Sequence, residues 1–129
     1  MNNILSDLAD LLDYLKITFE TGVFLDEIPE GCDVFAVIVP GTCDFTDYSD
    51  NFPGFDVQRA SIQVAVKNEY INLQNRITAA LLWKDFYVQE RVYEGYNDTS
   101  GCHAFTISVV RAYSMEPYIE LIREFGEND

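Results

Sequence analysis

The sequence predicts an α+β protein: two or three helices packed on a four-stranded, mostly antiparallel sheet, in one domain spanning residues 1–129. Three observations predict it. Hydropathy alternates with a period of two over 59–67, where Ala60, Ile62, Val64 and Val66 point one way and Arg59, Ser61, Gln63, Ala65 and Lys67 the other. The period then becomes helical: Tyr70, Leu73, Ile77, Ala80 and Leu81 share one face, with Asn72, Gln74, Asn75 and Arg76 largely opposite. Finally, the order of segments is helix, one or two strands, acidic loop, strand, helix, hairpin, helix. That order lets helices cover one sheet face. No repeat, low-complexity tract or linker divides the chain.

Residues 3–16 predict the first helix, because Ile4, Leu8, Leu11, Leu12 and Leu15 form a stripe and Asp7, Asp10 and Asp13 line the wet side. Asn2 or Asn3 supplies its cap. Residues 17–24 read as a short strand or an extended connection, and Pro29, Glu30 and Gly31 punctuate the chain. The apolar run 34–41 is too short for a helix and reads as a strand buried on both faces, ended by Pro40 and Gly41. Residues 42–56 are expected to form the longest irregular stretch. After the 59–67 strand, Asn68 is the expected helix cap, with Glu69 in the first turn, where the dipole favours an acid. Residues 86–95 and 102–113 predict a β-hairpin turning at 97–101, with Phe105, Ile107 and Val109 on one face. A last helix over 115–125 starts around Pro117, carries a stripe of Tyr118, Leu121, Ile122 and Phe125, and stops at Gly126. Residues 127–129 should fray.

Charge narrows the function more than any motif does. Eight basic residues face 22 acidic ones, a net charge of −14. Such a surface repels nucleic acid and anionic membrane. Three readings fit: acidity that keeps the chain soluble, acidity on a surface past which DNA slides without sticking, and mimicry of DNA. The N-terminus shows no basic region before its first apolar residues, so no secretory signal is expected. No apolar run reaches the length of a membrane span. Cys32, Cys43 and Cys102 are then expected as free thiols in a reducing compartment. Together with His103 they lack a CxxC pair, and Cys102 and His103 alternate across a strand, so no metal site is expected.

The 42–56 segment carries Asp44, Asp47, Asp50 and Asp56 beside Phe45, Tyr48, Phe52 and Phe55. It is either an acidic excursion whose aromatics fold back on the core or a contact arm between subunits. Aromatics are enriched at interfaces, which favours the arm. The acids do not follow the order of a calcium-binding helix–loop–helix. No phosphate loop, GxGxxG, HExxH or GxSxG occurs, and no nucleophile has an evident base. We therefore expect no enzyme and no cofactor.

Residues 4–113 resemble, by pattern, the minor capsid or tail-terminator proteins of long-tailed bacteriophages. The likeness lies in the Leu-rich first helix (ILSDLADLLDYL), an apolar strand ending in Pro-Gly, and a loop closing with FPGFDVQ. It continues in the strand IQVAVKN, which passes through Glu69 and Tyr70 into the helix INLQNRITAALL, and in the last strand HAFTISVVRAY. The long aromatic loop 42–56 and the helix from Met115 depart from that pattern. The resemblance implies a structural virion protein of the phage tail, assembled in the bacterial cytoplasm. Such a protein forms a hexameric ring of copies on the last ring of the tail tube, ends tube growth and meets the head connector. Its partners would be itself, the tail-tube protein and the connector; DNA would only pass through, and no membrane would be involved. On this reading Phe45, Tyr48, Phe52 and Phe55 make the subunit contact, while Asp44, Asp47, Asp50 and Asp56 repel passing DNA. Two alternatives stay open: another head–tail joining protein, and a small acidic inhibitor or immunity-type protein that binds a basic partner.

Overall fold

The computed structural model describes residues 3–22 and 33–128. The Pro29–Gly31 break, Cys32, Asn2, Asp129 and the end of the expected 17–24 segment lie outside the described residues. The elements run α1 (Ile4–Tyr14), β1 (Phe19–Thr21), β2 (Val34–Thr46), β3 (Phe55–Val66), α2 (Tyr70–Trp83), β4 (Tyr87–Asn97), β5 (Cys102–Ser114) and α3 (Glu116–Glu127). The α+β class holds, but among the described residues the sheet has five strands in the order β1-β2-β3-β5-β4, not four. The extra strand is β1. It pairs parallel with Ala36, Val37 and Ile38 of β2, while every other pairing is antiparallel.

Period two fixes which face is buried. Ala36, Ile38, Ala60, Ile62, Val64, Val66, Phe105, Ile107 and Val109 form one apolar surface. Against it pack Ile4, Leu8, Leu11 and Leu12 of α1 and Ile77, Ala80 and Leu81 of α2. Burial of this kind is worth roughly 1.5–3 kcal/mol per large aliphatic side chain. Phe35 and Val37, which point to the opposite face, are buried as well, so the 34–38 run is enclosed on both sides. Most of that opposite face is small or polar, with Ser61 Oγ and Ser108 Oγ 3.3 Å apart across β3 and β5.

Three local expectations are corrected. Pro40 and Gly41 do not end β2. A register shift between Pro40 and Cys43 absorbs the irregularity, and pairing with β3 resumes through Thr46 opposite Phe55. Among the described residues β2 has no β1 neighbour beyond Ile38, and a proline is tolerated at a bulge. A Cβ on Gly41 would lie 2.9 Å from the Arg59 carbonyl oxygen, so only glycine fits this close approach. Second, the cap of α2 is Glu69, not Asn68: its carboxylate accepts from the backbone N–H groups of Ile71 (2.7 Å) and Asn72 (3.0 Å). Third, Gly126 does not stop α3, which continues through Glu127. The cap of α1 is Asn3, whose side chain accepts from Ser6 N–H at 2.8 Å.

Candidate assembly surface

With β2 and β3 extended, the expected 42–56 loop shrinks to the tip of a long hairpin. Ser49 and Phe52 exchange backbone hydrogen bonds of 2.8 and 3.0 Å around Asp50 and Asn51. Those two residues have φ of 51° and 68°, as a type I′ turn demands, and Asp and Asn tolerate that conformation better than most residues. Gly54 N–H closes the tip on the Thr46 carbonyl at 2.9 Å. All four aromatics expected as a contact surface are exposed: Phe45, Tyr48, Phe52 and Phe55.

The four acids do not form one group. Asp44 is ion-paired with Arg59. Asp47 and Asp50 stand at the tip with no cation beside them among the described residues. Asp56 is only 4% exposed and cannot face a passing polyanion. Its Oδ2 accepts from Gln58 Nε2 and from the Tyr118 hydroxyl, each at 2.9 Å. Gln58 Oε1 in turn accepts from Ile4 N–H at 2.9 Å. Asp56 therefore ties β3, the start of α1 and the start of α3 together.

α3 is held by its first turn and little else. Met115 before it is buried, and the Tyr118 ring meets Phe45 edge-on, with centroids 5.5 Å apart. The hydrogen bond to Asp56, aided by burial, raises the Tyr118 phenol pKa above its usual value. Beyond Tyr118 no residue of α3 is buried. Leu121, Ile122 and Phe125 are exposed, Phe125 to 67%. The predicted stripe is real, but it meets solvent instead of the core.

No family model and no curated protein matches this chain.

A second exposed apolar surface lies where α1 and α2 end. Both helices close in the same way, with a residue in the left-handed region: Lys16 (φ 60°) and Asp85 (φ 64°). Ile17 N–H reaches back to the Leu12 carbonyl and Phe86 N–H to the Leu81 carbonyl, each at 3.0 Å, the six-to-one bond of a Schellman motif. Burial of Ile17 and Phe86 completes both motifs. These tight endings leave Tyr14 (69% exposed) and Trp83 (60%) side by side, with ring centroids 5.6 Å apart. Lys84 Nζ lies 4.1 Å from the Trp83 ring centroid. A groove of about 350 Å³ opens beside them, lined also by Asp7, Asp10, Phe86 and Arg111. Its floor is ordered: Tyr113 donates to Asp7 Oδ2 at 2.6 Å, and Arg111 Nη1 approaches the same oxygen at 3.5 Å. Burial, with the Asp7 carboxylate adding to it, pushes the Tyr113 phenol pKa well above its ordinary value.

Tyr14 and Trp83 were not singled out from the sequence, yet a signal existed. Trp83 lies outside the Tyr70–Leu73–Ile77–Ala80–Leu81 stripe, and an out-of-phase tryptophan on an amphipathic helix points to solvent. At the far end of the sheet His103 sits among Tyr70, Tyr93 and Tyr96, its Nδ1 2.9 Å from Tyr93 Oη. Cys43 is exposed and Cys102 buried, both as free thiols. Among the described residues no group of three or more His, Cys, Asp or Glu could hold a metal ion, and no helix is long and apolar enough to cross a membrane.

Proposed function

We propose that this protein is a structural subunit of a long-tailed bacteriophage. In this reading copies of it form a ring, sixfold as the family resemblance implies, that caps the tail tube, ends tube polymerisation and forms the interface to the head connector. The observation that carries the proposal is α3: twelve residues long with none buried, it presents Leu121, Ile122 and Phe125 to solvent. A monomer gains nothing from that face, whereas an assembly does, since covering one large apolar side chain is worth about 1.5–3 kcal/mol. Hairpin aromatics Phe45, Tyr48, Phe52 and Phe55 extend the adhesive area. The charge of −14 supports the same role from the other side. It opposes indiscriminate clumping and lets phosphates slide past, with Asp47 and Asp50 at the hairpin tip the acids best placed to face them. The role needs no catalytic step, cofactor or metal.

The test is to add the protein to growing tail tubes and to image it by negative stain, with light scattering of the free protein at two salt concentrations. The expected result is six-fold rings, favoured by salt, on tube ends of fixed length. Tubes that grow on unchecked in its presence would overturn the proposal. One-to-one capture by a basic protein, with no ring, would replace it with the acidic-inhibitor reading.

A further inference from the structure

We infer that the groove beside Tyr14 and Trp83 is a docking site for an arginine-bearing, basic segment of a partner protein. The site is complete in a single chain, so it goes beyond the ring reading and does not need a ring. What flanks each exposed apolar patch decides the choice among them. On α3 the glutamates and Arg123 lie on the face opposite Leu121, Ile122 and Phe125, so no charge beside that stripe selects a partner. The hairpin aromatics are divided: Phe45 stands opposite Asp56 and Phe55 opposite Thr46, neighbouring rungs that point to opposite sheet faces. Tyr70, Tyr93 and Tyr96 already pack around His103. Tyr87 and Val92 stand on the edge strand β4, which two register shifts break up.

The groove differs from these in joining a concave seat of about 350 Å³ to charges that favour a cation. It lies where α1 and α2 end, and their last turns contribute Leu11, Tyr14 and Trp83 to its lining. A helix C-terminus carries partial negative charge, and neither last turn holds a basic residue to offset it. Instead Asp10 lines the groove and Asp13 stands in the last turn of α1, at the end of the dipole that disfavours an acid. Neither is ion-paired among the described residues, and a bound cation relieves both. Cations already lie on two of the groove's rings. The Arg111 guanidinium is 4.7 Å from the Phe86 centroid, and Lys84 Nζ is 4.1 Å from that of Trp83. Arg111 is committed to Asp7. The exposed Tyr14 ring carries no cation among the described residues, and Asp10 precedes it by one helical turn on the same face of α1. A guanidinium suits that pair, because its plane stacks on an aromatic ring while its fork of N–H groups meets a carboxylate. The net charge of −14 repels a second copy and draws in a basic partner.

Trp83 is the chain's single tryptophan, so its emission reports the groove. The probe is a short peptide of alternating arginine and leucine, capped at both ends, set against the same peptide with citrulline in place of arginine. The arginine peptide should shift the Trp83 emission saturably, and the citrulline peptide should not. Asp10→Asn should weaken binding about tenfold, the loss of one charge-assisted hydrogen bond. Asp98→Asn makes the same charge change in the β4–β5 turn and should leave binding within about twofold, since distant surface charges are screened. Lys84→Gln should tighten binding, because it removes the cation that competes for these rings. All three side chains are exposed, so none of the substitutions disturbs the core. Equal binding of the citrulline peptide, equal losses from Asp10→Asn and Asp98→Asn, weaker binding by Lys84→Gln, or no saturable shift would overturn the site. So would the same shift on concentrating the protein alone, which would make a second copy the occupant.

Discussion

At the residue scale, two tyrosine–aspartate bonds do more than any exposed acid. Asp56 holds Tyr118 and Gln58, and through Gln58 the first N–H of α1. Asp56→Ala should cost about 1–3 kcal/mol in urea unfolding, because it removes a buried acceptor shared by two part-buried donors, and should speed proteolysis within α3. The partner bond, Tyr113 to Asp7, has a pH signature. Its phenol pKa is raised in the folded state above the ordinary 10.0, mainly by burial. Below pH 10 the phenol is protonated in folded and unfolded chains alike, and the bond contributes in full. As pH climbs past about 10 the unfolded chain releases this proton while the folded chain keeps it, so stability falls. Tyr113→Phe should lower stability by about 1.5 kcal/mol at pH 7, and the gap to the wild type should narrow above pH 10. Neither role was legible in the sequence. Asp56 and Asp7 look like any of 22 acids until the fold sets a tyrosine against them.

At the element scale, the readable parts were those with one buried face. The alternation at Ala60–Val66 and at Phe105–Val109 survives because a helix layer covers one side of each strand. β1 was ambiguous because three residues carry no period, and its parallel partner is chosen by tertiary packing. β2 was cut short because a bulge lets a strand pass through Pro40 and Gly41 without losing its partner. The helix ends offer a direct check. Lys16 and Asp85 occupy left-handed positions that glycine adopts freely. Lys16→Gly and Asp85→Gly should each stabilise the protein by about 0.5–1 kcal/mol in thermal or urea melts, since non-glycine residues pay about 1–2 kcal/mol there. Glu69→Ala should remove the double cap of α2 and cost about 0.5–2 kcal/mol.

At the scale of the whole molecule, charge and adhesion oppose each other. In the proposed ring each copy adds −14, while the surfaces that would attract are a few aromatic and aliphatic groups. Assembly should therefore strengthen as ionic strength rises from about 0.01 M to 0.15 M, where the screening length drops from about 30 Å to about 8 Å. Sedimentation across that range measures it. Acidity and the absence of catalytic motifs were visible from the sequence. The arrangement was not, because two helices packed on one sheet face, with a third left unburied, is a property of topology and not of any single stripe.

The Tyr113–Asp7 bond joins residues 106 positions apart, and Gln58 holds Ile4 across 54. α1 is thus secured only once β5 is in place. A nascent or truncated chain keeps α1 loose, and with it the Tyr14 side of the groove. Only a chain that includes β5 then carries the Tyr113–Asp7 pair beside the groove. The same bond thereby makes the packing of α1 a check that β5 is present.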